Sequence, residues 1–389
     1  MRLACLLLAP FAFTTGAFVF AGVLVPMAAD LGVSVRAAAQ LQAAFSVSCA
    51  LAGPVLAGLT ARFDRKRLLV ASLVLLAVAN FASAAMTGYW ALFITRILAG
   101  VSGSLALPLA STMAVILAGP DRRTRALATV YGGVSLAFMT GIPMGSVIGE
   151  ALSWHACFIL SGGLALVAAV LIRIVVPGVP LPARPPRGAF RAAMAWPAPG
   201  YLGITLLAFA GVFTAAGYVG PIVTRLTGFG GTGIGAMQTL TGIGSLLGLV
   251  TGTRMVEKGV SRPLARLFLV MIAGQCIFSI ALLGGLRDGA GLAACTVAML
   301  LLPLALFGTP PIVQTRLAQV AGPAATVAFA MNGSMVYLGQ GLGVMAGGVM
   351  LGLYDIDHTT LAGIALATGG LLLGLALGRP TRVPAPSPG

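Results

Sequence analysis

The chain has 389 residues, of which 59% are hydrophobic and 8% charged, and its mean hydropathy is +1.04. Soluble domains carry about 25% charged residues, so the composition excludes a water-soluble fold and places the chain in a membrane. The net charge of +15 does not mean nucleic acid, because that partner needs basic residues gathered on one soluble face, whereas here they sit in short loops.

Apolar runs long enough to span a bilayer, about 20 residues each, follow one another at 3–27, 37–60, 68–87, 90–117, 126–149, 155–176, 200–222, 233–253, 264–285, 290–312, 325–351 and 360–378. The first is longer than the roughly 7 to 15 residues of a signal-peptide core, so it reads as a helix that stays. The fold class is therefore an all-α membrane protein of twelve transmembrane helices. The Pro- and Gly-punctuated stretch from Pro177 to Gly200 divides them six and six. The expected organisation is an N-terminal bundle (1–176), a cytoplasmic linker (177–199), a C-terminal bundle (200–378) and a cytoplasmic tail (379–389).

Orientation follows from the Lys and Arg residues. With the N-terminus inside, nineteen of the 23 fall in loops on that side, against Arg36, Arg225 and Arg287 on the other and Arg96 embedded. The positive-inside rule then puts both termini in the cytoplasm.

Weak internal symmetry accompanies this division. Thr140-Gly141-Ile142-Pro143-Met144-Gly145 in the fifth helix is echoed by Gly343-Val344-Met345-Ala346-Gly347-Gly348 in the eleventh, and Ala118-Gly119-Pro120 by Ala321-Gly322-Pro323. Two pseudo-symmetric halves with a site at their interface are a common transporter plan. Gly141, Gly145 and Gly149 lie on one helix face and permit close approach of a neighbour, while Pro143 frees a carbonyl and allows bending.

Arg96 is the one cation inside the apolar run from Trp90 to Leu117. Holding a guanidinium in hydrocarbon costs at least a few kcal/mol, so it must have partners; carbonyls, the Ser102 or Tyr131 hydroxyls, or water are the candidates. The five cysteines are scattered singly and the two histidines lie far apart, so neither a disulfide framework nor a zinc site is expected. No cofactor is expected, and with the acids dispersed an enzyme is not either.

Two motifs raise a family resemblance. The loop Gly58-Leu59-Thr60-Ala61-Arg62-Phe63-Asp64-Arg65-Lys66-Arg67-Leu68 resembles the first signature of the major facilitator superfamily, departing from it at Ala57, Ala61 and Asp64. Arg96-Ile97-Leu98-Ala99-Gly100 resembles its fourth-helix signature, with Ala99 where Gln is commoner, and the glycines of 141–149 resemble its antiporter signature. The resemblance is closest to the twelve-helix drug:proton antiporters, including sugar and nucleoside efflux members. It implies alternating access by rocking of two halves, gating roles for Arg62, Asp64, Arg65, Lys66, Gly141, Pro143 and Gly145, and export driven by proton entry in a bacterial inner membrane. A sugar or nucleoside importer or facilitator of the same fold is the alternative, and a non-transporting membrane sensor a remoter one.

The expected partners are a small-molecule solute, protons and lipid, with no nucleic acid, and the expected state is a monomer. All eight acids lie at helix ends or in loops. Glu150 is the first choice for the coupling proton and Asp30 the second, with Arg96 setting the field in the cavity. Substrate contacts are expected from Phe11, Phe18, Tyr131, Phe138, Phe213, Tyr218, Gln238, Asn332 and Gln340, which sit on the helices that face the centre in this fold.

Overall fold

A computed structural model describes residues 2–60, 62–119, 122–179 and 188–377. Ala61, Asp121, residues 180–187 of the linker and the tail lie outside the described residues. Twelve helices are long and apolar enough to cross a membrane: α1 (Leu3–Asp30), α2 (Val35–Leu59), α3 (Arg65–Ala85), α4 (Tyr89–Ala118), α5 (Arg125–Ala151), α6 (Trp154–Val175), α7 (Ala198–Ala216), α8 (Gly231–Glu257), α9 (Pro263–Leu283), α10 (Asp288–Ala321), α11 (Val327–Leu353) and α12 (Ile356–Leu377). Short helices at Ala189–Ala193 and Val219–Thr227 join α6 to α7 and α7 to α8.

Local chemistry sets several boundaries. Ser34 Oγ accepts from the Ala37 amide at 3.1 Å and Asp64 Oδ1 from the Arg67 amide at 2.7 Å, so each caps the helix that follows. Gly228, in the left-handed region at φ 71°, stops Val219–Thr227. Within α5, Pro143 has no N–H to give the Met139 carbonyl, and the helix widens into a π turn over Ala137–Gly141 just before it.

Two spans differ from the hydropathy reading. The seventh helix ends at Ala216, not 222, because the chain breaks at Gly217 and Tyr218 and restarts as the amphipathic helix Val219–Thr227. The tenth runs to Ala321, not 312, because its last turns carry Gln314, Arg316 and Gln319. These residues lower hydropathy without breaking the helix.

The helices form two six-membered bundles in which the glycine echo has one packing role. A Cβ on Gly145 would overlap the Val19 carbonyl of α1, and one on Gly347 would come within 2.6 Å of the Thr214 carbonyl of α7. Without a hydrophobic drive between helices in lipid, such close approach is what holds them together.

We call the face carrying the 60–64 turn the basic face. At the opposite face the two bundles are joined. The Arg36 side chain of α2 lies against Gly352 of α11, Gln40 against Gly348, and Val47 against Gly341. Further along that same side of α2, toward the basic face, Leu51, Val55 and Leu59 are 66%, 59% and 71% exposed. The bundles therefore meet at the opposite face and part toward the basic one.

Candidate functional site

Below the joined face, a cavity lies between the bundles. Phe18 of α1, Phe138 and Ile142 of α5, Phe213 of α7, Phe278 of α9 and Met299 and Pro303 of α10 line it, with Val219 and Ile222 of the short helix. Phe18 links the two sides, its ring 5.8 Å from that of Phe138 and 5.4 Å from that of Phe213. Among the described residues the only polar side chains that line the cavity are Gln238 and Thr241 of α8, and no charge reaches it. Gln238 Oε1 accepts from Ser146 Oγ of α5 at 2.6 Å, a hydrogen bond between the two bundles, while its buried Nε2 has no acceptor.

Of the expected substrate contacts, Phe18, Phe138, Phe213 and Gln238 come together here; the others do not. Tyr218 is fully buried inside the C-terminal bundle, donating to the Val344 carbonyl at 3.0 Å. Asn332 accepts from Thr205 at 2.6 Å within the same bundle. Gln340 accepts from Ser46 of α2 at 3.4 Å, a contact joining the bundles rather than lining the cavity. Phe11 is half-buried on α1 and Tyr131 is 39% exposed on α5, both outside the cavity wall.

Arg96 also lies away from the cavity, fully buried in the N-terminal bundle. Nη2 donates to the Gly16 carbonyl of α1 at 3.0 Å and Nη1 to Asn80 Oδ1 of α3 at 3.2 Å. Its guanidinium carbon lies 5.4, 4.6 and 5.3 Å from the ring centroids of Phe20, Phe45 and Phe158. Three aromatic faces, one carbonyl and one amide thus take the place of a carboxylate. Neither Ser102 nor Tyr131 is among its partners: the Ser102 hydroxyl donates to Ala99 on its own helix. Any influence of Arg96 on the cavity would therefore act from inside the N-terminal bundle and not from the cavity wall. The C-terminal bundle makes the corresponding link without charge, Gln275 Nε2 of α9 donating to the Gly211 carbonyl of α7 at 2.6 Å.

Glu150 ends α5 at the opposite face, exposed, and reaches the other bundle. Oε1 accepts from the Gly231 amide at 2.8 Å and Oε2 from the Thr232 amide and hydroxyl, both at 2.7 Å. It therefore caps the N-terminus of α8, where backbone donors and the helix dipole favour an anion. Asp30 accepts from the Trp154 indole at 2.8 Å, tying α1 to α6 at the same face. On the basic face Asp64 is spent on its cap, and Arg62, Arg65 and Lys66 make no ion pair among the described residues. Gly141 sits against Thr15 of α1, and Pro143 offers its carbonyl toward Gly235 of α8.

Sequence reasoning passed over Asn80, Ser146, Thr232 and Gln275. Asn80 and Gln275 carried a readable signal, each being an isolated amide within an apolar helix. Ser146 and Thr232 looked like ordinary small helix residues until the bundles were brought together.

A cavity straddling two six-helix bundles, joined at one face and parted toward the other, defines a membrane carrier. The chain belongs to the Major Facilitator Superfamily, which matches residues 6–344. It is 27% identical over 362 residues to the uncharacterized MFS-type transporter YfhI of Bacillus subtilis (strain 168), covering 90% of this chain and 87% of that one. It is 29% identical over 376 residues to a chloramphenicol resistance protein of Streptomyces lividans, and 25% identical over 376 residues to a probable sugar efflux transporter of Helicobacter pylori (strain G27). Each of those alignments covers 94% of this chain and 92% of the relative. A bacterial homologue of the human lysosomal transporter Spinster, solved inward-facing and unoccupied, shares the fold at a TM-score of 0.77 and 15% identity, covering 97% of this chain and 96% of that one. The chain is thus a multi-pass membrane transporter and not an enzyme.

Proposed function

We propose that this transporter exports a small, uncharged, largely apolar organic solute by alternating access in exchange for protons, working as a monomer in a bacterial inner membrane. The observation that carries the solute class is the cavity wall: aromatic and aliphatic on both sides, with Gln238 and Thr241 its only polar side chains among the described residues. Burying about 200 Å² of an aromatic solute there gains about 5 kcal/mol. A sugar would bury several hydroxyls against carbon, at about 1–3 kcal/mol for each one left unpaired. The chloramphenicol resistance relative supports the exporter reading, and the wall favours that type of cargo over the sugar of the Helicobacter relative.

The basic excess supports a cytoplasmic basic face with both termini inside, which makes the present conformation inward-facing. The division at 1–176, 177–199, 200–378 and 379–389 then assigns the two rocking bodies, the linker and the tail. In this reading Glu150 is a latch between the bundles and not the group that carries a proton across, because it faces the outer solution while that face is closed. Asp30 fastens α1 to α6 beside it. The loop containing Arg62, Asp64, Arg65 and Lys66 gates the inner face, and Gly141, Pro143 and Gly145 form the flexing contact of α5 with α1 and α8. Arg96 holds α1, α3 and α4 as one body.

One observation favours a second reading, an uncoupled carrier of the same solute: none of the eight acids falls within the interior of the spans. Proteoliposomes bearing a pH gradient separate the two. Under exchange, adding a transported solute such as chloramphenicol dissipates the gradient in step with solute flux; flux with the gradient intact selects the uncoupled carrier.

A further inference from the structure

We infer that the Gln238 amide is the cavity's recognition group, a lone hydrogen-bond donor for an uncharged acceptor oxygen on the solute, held in that orientation by Ser146 only while the outer face is closed. This rests on the apolar-solute reading above and goes a step further, to which atom of the solute is read and when.

Four observations converge. Gln238 is 4% exposed and lies in the cavity wall, where an unpaired polar atom carries a desolvation cost that a bound ligand can relieve. Its Nε2 has no acceptor in the protein, whereas its Oε1 is already taken by Ser146 Oγ at 2.6 Å. With the Ser146 hydroxyl engaged on Oε1, the end of the amide left free is the donor. Finally, among the described residues no other polar side chain lines the cavity except Thr241, one turn along the same helix. A carbonyl, nitro or ether oxygen on an otherwise apolar solute completes this arrangement; a carboxylate would bring a charge into a wall that offers no counter-charge, and a bare hydrocarbon would leave Nε2 unpaired.

The consequence for transport comes from where the two partners sit. Ser146 belongs to α5 of the N-terminal bundle and Gln238 to α8 of the C-terminal bundle, directly beneath the Glu150 latch on the same two helices. Opening the outer face separates α5 from α8 and removes the hydrogen bond. The amide then rotates freely and its donor is no longer preorganised, so the solute is held more loosely in the state that releases it outward. Affinity that falls on outward opening is what an exporter needs.

The test uses the purified full chain and a matched pair of probes, 4-acetylbiphenyl and 4-isopropenylbiphenyl, which share a shape and differ in one acceptor oxygen. Binding is measured by scintillation proximity and corrected with protein-free micelles. The wild type should prefer the ketone about tenfold. Gln238→Met should bring the ratio close to one, and Ser146→Ala, which removes only the orienting hydroxyl, should lower it to about threefold while leaving the isopropenyl probe's affinity unchanged. If Gln238→Met proves unstable in detergent, the Ser146→Ala ratio alone decides. A ketone preference that survives either substitution unchanged, or no preference in the wild type, overturns the assignment of Gln238. Failure of both probes to bind above the micelle background overturns the apolar-solute reading itself.

Discussion

The Glu150 carboxylate accepts two hydrogen bonds from Thr232, from its amide and its hydroxyl, each at 2.7 Å. One residue closes the last turn of an N-terminal-bundle helix and the other opens the first turn of a C-terminal-bundle helix, so the pair holds the molecule shut at one end. Glu150→Gln keeps the shape but turns one acceptor into a donor facing backbone N–H groups. Losing a cap of this kind costs about 1 kcal/mol, a roughly fivefold shift between the two states. A cysteine at Ile142, in a chain freed of its native cysteines, should then react about five times faster with an impermeant maleimide applied at that face. An unchanged rate would show that the latch carries no weight.

Arg96 should matter as a strut. Arg96→Ala leaves the Gly16 carbonyl and Asn80 Oδ1 without their donor and opens a void under three phenylalanines, a loss of about 3–5 kcal/mol. Thermal unfolding in detergent should show a clear drop for Arg96→Ala, and Arg96→Met combined with Asn80→Leu should recover part of it, since an apolar replacement of a buried polar network is often tolerated. Transport lost in Arg96→Ala with stability unaltered would return the arginine to a coupling role.

The glycine contacts predict a sharp contrast along one helix. A Cβ at Gly145 overlaps the Val19 carbonyl, whereas one at Gly132 meets nothing closer than Leu7 Cδ1 at 3.8 Å. Gly145→Ala should therefore destabilise by about 1–3 kcal/mol, and Gly132→Ala should stay within about 0.5 kcal/mol of wild type. Denaturation of the two variants side by side checks this, and equal effects would contradict it.

At the face opposite the basic one Arg225 makes two hydrogen bonds to Asp357, at 3.1 and 2.9 Å, and Asp355 pairs with His358 at 2.6 Å. The hydrogen bond from His358, aided by its charge, holds the Asp355 carboxyl below its ordinary value. A carboxyl whose folded pKa is depressed adds stability above its unfolded value, about 3.9, and loses it as pH falls through the folded value. Hydrogen exchange in the turn between α11 and α12 should accelerate as pH is lowered below about 4, once corrected for intrinsic rates, and Asp355→Asn should abolish that added acid sensitivity. The same acid response in Asp355→Asn would rule the pair out.

Much of this molecule can be read from hydropathy, because bilayer thickness forces about 20 apolar residues per crossing and the chain obeys. Reading fails where polarity and helicity part company, as in the polar last turns of α10, or where one glycine breaks an apolar run, as after Ala216. The site is legible only in part for a related reason. Phe18, Phe138, Phe213 and Gln238 lie on helices that must face the centre, but the turn of each helix that does so is set by tertiary packing, and this turned Tyr218 and Asn332 inward to their own bundle. Arg96 is the plainest lesson: its position announced partners, a backbone carbonyl was among those expected and Gly16 supplies it, whereas the second partner, the Asn80 amide sixteen residues away in the same apolar sequence, was not foreseen.

The central claim is that the phenylalanine-walled cavity carries an uncharged apolar solute. It is tested most directly by counterflow of labelled chloramphenicol into proteoliposomes, run beside labelled xylose and beside the variant Phe213→Asp, which sets an unpaired charge in the wall. The account predicts saturable chloramphenicol counterflow, none for xylose, and a loss of at least tenfold in Phe213→Asp, since an unpaired charge in an apolar site opposes binding by more than 1.4 kcal/mol. Xylose counterflow without chloramphenicol counterflow, or chloramphenicol flux indifferent to Phe213→Asp, would contradict it.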